Sequence, residues 1–540
     1  MTALRAALSE SSLRRALLAF LAFGVAEEGV WLAVLLYAFD VGGATAAGVV
    51  AVAQLVPAML LVPITSTLID RMSVRAGLVL AYGCSGVATL AIGVLLLLQA
   101  PTWAVVLSAV VQSCAVTMSR PAHYAALPRL AELPTHLVAA NAVTGSVEAL
   151  GVLLGPLSVA VALTFSGVAP LVVALAALLV IGALLVGTAR VPQGASRVDH
   201  DDGSRAGGET ERERVPEPFV RSATMGLREV RRIPGAFSLL VMVGMVWVLQ
   251  GALDVLGVSF AIEVLEAGER GAGVLAAGNG LGLLLGSALA VVLVGVARMS
   301  PVFVAGAVVG GLALAAVGLT STLVVAVVLL AVSGAARSFV DVAGRTLLHR
   351  NADDRAMARV FGVQEAVLVG GLAVGAAVAP VMIALLGESA AFVLTGALLV
   401  VPALLALPSL AGLDRTGVLA AHRIRLLRSL SLFAPLPAPD LERLALVSDR
   451  CKAATGEQLI EQGAVGDCFY AVESGRYEVV KDGASVALLG PGDYFGEIAL
   501  LRDVPRTASV TCVEEGELVV LDREPFVTAM SRTRPPRESA

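Results

Sequence analysis

Phe495-Gly496-Glu497-Ile498-Ala499-Leu500-Leu501, followed by Pro505-Arg506-Thr507-Ala508-Ser509-Val510, decides how the C-terminal part of this chain folds. Gly492-Asp493-Tyr494 ahead of it reads as a turn, and Gly496 permits close backbone approach. Glu497 to Leu501 reads as a short helix, whose free N–H groups make an anion site. A carboxylate there repels a bare phosphate, so Glu497 fits better as the acceptor of a sugar hydroxyl. Arg506 offers a planar, two-pronged partner for phosphate oxygens. Phosphate plus ribose, with no catalytic apparatus beside them, points to a nucleotide that is bound and not cleaved.

Around this cassette the pattern is short apolar–polar alternation with glycine punctuation: Gln458–Glu461, Cys468–Glu473, Tyr477–Lys481, Ser485–Leu489, Ala508–Val513 and Glu517–Leu521. Many short strands between glycines predict a small C-terminal β-roll with short helices over 432–532. Pro439-Asp440-Leu441-Glu442 reads as a helix start. Residues 411–431 form a junction helix with Arg415, Arg423, Arg425 and Arg428 among Leu and Ile. It is either a basic amphipathic helix on a membrane surface or a connecting helix packed on the roll.

Everything before about residue 410 belongs to a different solvent. The chain is 57% hydrophobic and 15% charged, with a mean hydropathy of +0.86, and the excess lies in repeated apolar runs of about 20 residues, the length that spans a bilayer core. About twelve spans are expected, at 16–38, 45–68, 76–97, 103–119, 138–164, 169–188, 236–261, 271–296, 302–319, 323–342, 362–386 and 390–408. The fold class is thus a multi-pass α-helical membrane protein plus the small roll. The first run is too long for a cleavable signal peptide and precedes many more spans. A net charge of −5 gives no reason to expect nucleic acid as a partner. The five cysteines, Cys84, Cys114, Cys451, Cys468 and Cys512, form no paired or metal-like cluster and are expected as free thiols.

The spans divide into two six-helix halves, 1–188 and 236–410, around a polar segment at 189–235 that should be a flexible cytoplasmic loop. His200 within Asp199-His200-Asp201-Asp202 reads as part of a solvated charge run, with no metal expected. With the N-terminus inside, nearly every Arg before residue 362 falls on the inner side and the six outer loops carry Arg270 alone. This asymmetry predicts both termini and the roll on the cytoplasmic side of the cell membrane. Glu28-Gly29 corresponds to Gln250-Gly251, 222 residues on, and Glu148-Ala149 to Glu365-Ala366, 217 residues on. Two related halves are a transporter signature, with the substrate site between them near mid-membrane.

Charges within spans are functional candidates. Glu27 and Glu28 lie midway along the first span and Asp254 at a comparable depth in the seventh. These three are candidates for proton coupling, or else they pair with Gln54, Gln112 or Gln250. Neighbouring helical positions point about 100° apart, so Glu27 and Glu28 cannot share one face. Glu148 and Glu365 are expected to tether to Arg at the inner side and hold gate packing. Arg337 and Asp341, four apart at the inner end of span ten, suit a helix-surface ion pair. The chain has no GxxxxGK[ST] loop, so an ion gradient is the expected energy source.

Gly151-Val152-Leu153-Leu154-Gly155-Pro156 in the fifth span resembles the Gly-rich antiporter motif of the major facilitator superfamily, with Val159 in place of its usual last Gly. Asp70-Arg71 with Arg75 sits where that family places an acidic–basic loop, Ser66 and Ser73 replacing its usual glycines. Ser119-Arg120-Pro121 through Ala139-Ala140-Asn141-Ala142 is similar to drug- and siderophore-exporter members. The resemblance spans roughly 10–408 and makes Asp70 and Arg71 gate candidates.

The C-terminal cassette resembles the cyclic nucleotide-binding domain through Phe433, Gly456, Gln462-Gly463, Gly466-Asp467, Phe469-Tyr470, Gly475 and the two quoted runs. By that resemblance Glu497 holds the ribose 2′-hydroxyl and Arg506 the cyclic phosphate. Gly496, Ile498 and Ala499 supply backbone contacts, and Thr507 and Ala508 complete the pocket. The ligand is cAMP or cGMP, with cAMP favoured and Thr507 as the feature that suits guanine. Family members follow the roll with two helices, the last covering the base. Here Glu524–Met530 makes about two turns before Arg532-Thr533-Arg534-Pro535-Pro536, so that lid is expected to be missing.

The expected whole is a secondary transporter, an exporter or antiporter of a small molecule the sequence does not specify, regulated by a cyclic nucleotide and needing no cofactor. The alternative is a transporter-like membrane anchor whose C-terminal domain is a signalling or interaction module. No Ser/His/Asp set or metal cluster supports an enzyme.

Overall fold

The computed structural model describes residues 11–188 apart from 71 and 131–133, and residues 227–531 apart from 229, 294–295, 352–353 and 437. Arg71, His200, most of the 189–235 segment and the run from Arg532 to Pro536 lie outside the described residues. The chain separates into two compact units, one holding Ser300–Leu410 with the residues up to Val292, the other Leu293–Met299 with the residues from Ala411 onward.

The first unit is all helix: α1 (Ser11–Asp70), α2 (Val74–Leu97), α3 (Thr102–Val116), α4 (Ser119–Leu130), α5 (Pro134–Phe165), α6 (Val168–Gly187), α7 (Ala236–Ser259), α8 (Gly268–Leu289), α9 (Ser300–Val317), α10 (Leu323–Asn351), α11 (Asp354–Leu386) and α12 (Glu388–Ala411). Among the described residues, eleven helical segments are long and apolar enough to cross a membrane. The first of them runs through Gly42 and Gly43, which leave the helical conformation, Gly43 at φ 63° where side chains other than hydrogen are strained. A segment of 52 residues is about 78 Å of helix at 1.5 Å per residue, more than twice a bilayer core.

Two boundaries differ from expectation. The span expected at 103–119 continues through α4 to Leu127, bringing Arg120 inside the segment. The span expected at 323–342 runs to Asn351, so Arg337 and Asp341 sit mid-helix, not at its inner end. In both cases the helical segment continues past the apolar run, and the carboxylates described below pair with the charge.

Without a hydrophobic drive between helices in lipid, small residues decide which helices touch. Within the first half α1 meets α5 at Gly24 and Gly151, where a Cβ on Gly151 would lie 2.9 Å from the Gly24 backbone, and a Cβ on Gly155 would lie 2.6 Å from that of Glu28. The second half repeats this between α7 and α11: a Cβ on Gly375 would lie 1.8 Å from the carbonyl oxygen of Val248. The halves approach each other where Gly280 of α8 lies against Leu153 of α5 and Gly48 of α1 against Ala376 and Pro380 of α11.

In the second unit α13 (Asp414–Ser429) and α14 (Ala438–Val447) precede eight strands and two helices: β1 (Asp449–Ala453), β2 (Gln458–Ile460), β3 (Cys468–Val472), β4 (Arg476–Lys481), β5 (Ala484–Leu489), β6 (Tyr494–Phe495), α15 (Glu497–Arg502), β7 (Ser509–Glu514), β8 (Gly516–Asp522) and α16 (Arg523–Ser531). They form two antiparallel sheets, ordered β1-β8-β3-β6 and β2-β7-β4-β5. Tyr477, Phe495, Val510, Cys512 and Leu518 fill the space between them. On the far side of the first sheet, Leu427, Leu441 and Phe526 from the helices and Phe433 from the turn between α13 and α14 enclose Phe469, with Phe469 and Phe526 stacked at 4.9 Å. The junction helix α13 therefore packs on the roll: Leu427 is fully buried, and Arg423 donates to the carbonyls of Ala445 (3.1 Å) and Ser448 at the end of α14. Burial lowers the Arg423 pKa, with Arg450 adding to the effect.

Candidate functional site

The cassette closes around Arg506. Gly496, at φ 89°, turns the chain from β6 into α15, and Ala499 of that helix is buried. The loop before β7 is tied to the loop after β2 by two backbone bonds, Gly463 N–H to Arg506 O and Arg506 N–H to Ala464 O, each 2.8 Å. The Arg506 side chain, 4% exposed, donates to Gly496 O at 3.0 Å, Cys468 O at 2.8 Å and Asp467 Oδ1 at 3.2 Å. Gly466 allows this, since a Cβ there would lie 2.6 Å from Ala499 Cβ and 3.5 Å from the guanidinium carbon. Glu497 is half-buried at the start of α15. Burial raises its pKa, against the opposing pull of its own backbone N–H and of Arg506. Ile498 and Thr507 are exposed and Ala508 is half-buried beside them. The seven cassette residues are thus gathered at one place, with a fixed cation and an acceptor carboxylate on neighbouring loops. Asp467, read in the sequence only as part of the pattern, is the carboxylate partner of Arg506. β1 and the two-residue β6 complete the first sheet without having been legible as strands. The last described helix, α16, ends at Ser531.

The membrane unit holds two charge clusters. In the first half Arg120 of α4 reaches Glu27 at 2.8 Å and Glu148 at 3.1 Å, and Tyr124 Oη–H donates to Glu148 at 3.0 Å. Glu27 thus turns to α4. Glu28 lies against α5 at Gly155, among the charges of Glu27, Asp254, Arg120 and Arg337. In the second half Gln250 donates to Asp254 Oδ1 at 2.9 Å and accepts from Arg337, whose Nε lies 3.6 Å from Asp341 and whose guanidinium sits 4.8 Å over the Trp247 ring. Trp31 of α1 donates to Asp254 Oδ2 at 3.1 Å. Gln54, by contrast, is engaged locally, by Val50 O and Ser113. Arg120 and Arg337 are 217 residues apart, the same offset as Glu148 and Glu365, and each reaches the first helix of its own half. Sequence reading singled out Arg337 and passed over Arg120; the shared offset was the available signal. Glu365 is exposed on α11 and, among the described residues, has no ion pair. Asp70 ends α1, with its side chain outside the described set. Among the described residues no group of His, Cys, Asp and Glu could hold a metal ion.

A family model for the Major Facilitator Superfamily matches residues 16–303, more than half of the chain, and one for the cyclic nucleotide-binding domain matches residues 450–533. The chain belongs to the major facilitator superfamily and is a multi-pass membrane protein with a C-terminal cyclic nucleotide-binding domain. It is 48% identical over 75 residues to a cAMP-dependent protein kinase regulatory subunit of Yarrowia lipolytica, covering 14% of this chain and 20% of that protein. To the cGMP-dependent protein kinase egl-4 of Caenorhabditis briggsae it is 36% identical over 110 residues, covering 19% and 15%. Among solved structures, the regulatory domain of Toxoplasma gondii PKA with cAMP matches at 38% identity and a TM-score of 0.20, over 20% of this chain and 44% of that one. The chain spans only about a fifth or less of the curated relatives' length.

Proposed function

We propose that this protein is a proton-coupled secondary transporter, an exporter in the cell membrane with both termini cytoplasmic, whose activity is set by a cyclic nucleotide bound at residues 496–508. The observation that carries the regulatory half is Arg506: a side chain 4% exposed, held by Gly496 O and Cys468 O beside the start of α15. A buried guanidinium aimed at a helix N-terminus and flanked by a hydroxyl-accepting carboxylate suits a cyclic phosphate and its ribose. The names of the relatives favour cAMP, with cGMP as the competitor. Glu27, Glu28 and Asp254 are the proton-coupling candidates; of these, Glu28 and Asp254 have no ion pair among the described residues. Arg120 with Glu148 and Arg337 with Asp341 each tie helices together within one half, with Asp70, Arg71 and Glu365 as further gate residues. Nucleotide binding can shift the transport equilibrium only by its differential affinity for the two states, and α13, which follows the last membrane helix in sequence, is the segment proposed to carry that difference.

Calorimetric titration of the full chain in nanodiscs with cAMP and cGMP tests the site. Saturable binding lost in Arg506→Ala supports it, and identical heats from both proteins reject it. Proteoliposomes carrying a pH-reporting dye, challenged with cationic, neutral and anionic compound sets, test the transport half. Proton flux present in the natural protein and lost in Glu28→Gln or Asp254→Asn supports it, and flux unchanged in both variants rejects it.

A further inference from the structure

Among the described residues, one side-chain-to-side-chain hydrogen bond joins the two halves of the membrane unit: Trp31 Nε1–H of α1 to Asp254 Oδ2 of α7, at 3.1 Å. Both hydrogen bonds to the Asp254 carboxylate are given by donors. The indole N–H has no acceptor capacity. Gln250 gives its amide N–H to Oδ1 at 2.9 Å, and it cannot flip to accept, because its own oxygen takes the Arg337 guanidinium. The charged groups facing Asp254 are Glu28 from α1 and Arg337 from α10. Of the other helices packed on α7, α11 presents Leu372 and Gly375 to this stretch, and α8 lends the uncharged Asn279 to the cavity beside Gln250.

These two bonds are accepted most strongly by the ionised carboxylate. A proton from water taken up on Oδ2 makes that oxygen a weaker acceptor for the indole N–H and adds an O–H donor beside it. The Gln250 bond is braced from behind by Arg337. The Trp31 bond, made by one donor across the junction of the halves, has no such support.

We propose that the Trp31–Asp254 hydrogen bond is a proton-sensitive latch between the two halves, made by the ionised carboxylate and released when Asp254 takes up a proton, with Trp31 as its positioning residue. This rests on the reading of Asp254 as a proton-carrying group. The halves also meet where Gly48 lies against Pro380 and Gly273 against Ala160. Release of the latch removes the polar tie and leaves these apolar contacts to hold the halves together.

The test places spin labels at Val41 and Leu385, 51% and 78% exposed at the ends of α1's first segment and of α11, in the full chain with its native cysteines replaced, in nanodiscs. The interspin distance is measured by pulsed electron resonance from acid to alkaline pH. The natural residues should give a short distance at high pH and a longer one at low pH. Trp31→Phe, which keeps the ring and deletes the N–H, should give at least a tenfold larger population of the long distance at high pH. Asp254→Asn, a permanent mimic of the protonated state, should give the long distance at every pH. Superimposable pH curves for Trp31→Phe and the natural residue overturn the latch. Should Trp31→Phe fail to fold, Asp254→Asn decides alone, and a short distance at high pH in that variant overturns it. These distances require neither substrate nor flux. A protein that latches without coupling protons to transport would sink the transport reading and leave the latch standing.

Discussion

Arg506 and Asp467 form an ion pair at 3.2 Å in which the cation is buried and the anion is 80% exposed. The two carbonyls that also hold Arg506 are fixed backbone; Asp467 is the partner able to swing away. A phosphate arriving at α15 therefore competes with Asp467 and leaves the bonds to Gly496 O and Cys468 O intact. Asp467→Ala should change stability by less than about 1 kcal/mol, as for exposed pairs, and tighten nucleotide binding severalfold. Calorimetry and a thermal melt check this, and weaker binding in Asp467→Ala would show that the carboxylate orients Arg506 and does not compete.

Replacing the guanidinium is a different matter. Arg506→Lys keeps a charge but cannot reach three acceptors from one planar group. It should lower nucleotide affinity at least tenfold. Arg506→Ala should in addition cost about 1–3 kcal/mol in the C-terminal unit by leaving buried carbonyls unpaired. Melts of the full chain, followed by a probe in the roll, measure the second effect separately from binding.

Glu497 gives the site a pH dependence of definite sign. Burial raises its pKa in the folded protein. Its contribution to stability is thus fully present below the ordinary carboxylate range and lost as pH rises through the raised value. A ribose hydroxyl donating to Glu497 favours the ionised form, so binding should expel a proton at the acid end. Affinity should climb with pH through the raised Glu497 value and then level off. Titrations in buffers of unlike ionisation enthalpy should detect the released proton, and Glu497→Gln should flatten the profile and weaken binding.

In the membrane unit, Arg120→Ala leaves Glu27 and Glu148 facing each other without their cation. A sealed pair broken this way costs about 3–5 kcal/mol. Arg120 is 44% exposed, so a smaller loss of about 1–3 kcal/mol is expected, with transport abolished. Adding Glu27→Gln should recover much of the stability and little of the transport. Thermal stability by size-exclusion in detergent reads the first outcome, and flux in proteoliposomes the second.

Glycine contacts make a sharper steric prediction. Gly375→Ala would push a Cβ to 1.8 Å from Val248 O and should prevent recovery of folded protein. Gly83, with open space around it in α2, should accept Ala with unchanged or slightly raised stability. Yields of monodisperse protein from membranes compare the two directly.

These features were unequally legible in the sequence. The break in α1 was readable because Gly42-Gly43 follows a run already as long as a bilayer is thick. The cassette was readable because phosphate and ribose chemistry needs particular residue types at close spacing. Arg120 was missed as a partner of Glu27 because the apolar run preceding it seemed to end at residue 119. Only three-dimensional pairing with Glu27 and Glu148 shows why a helix tolerates that charge. β1 was missed because Arg450 and Lys452 break the apolar alternation; their partners, Glu473 and Glu517, lie on other segments of the roll. The junction helix had two open readings, since four arginines suit a membrane surface as well as helix ends; Arg423 at the carbonyls of α14 favours packing on the roll.

In the proposed mechanism a nucleotide at Arg506 changes the state of the membrane unit. The most direct measurement is the interspin distance distribution between Val41 and Leu385 in nanodiscs at fixed pH, recorded with and without saturating cAMP, and again with cGMP. Nucleotide should shift the two populations, and the shift should disappear in Arg506→Ala. Saturable binding at Arg506 with an unchanged distribution would contradict the mechanism.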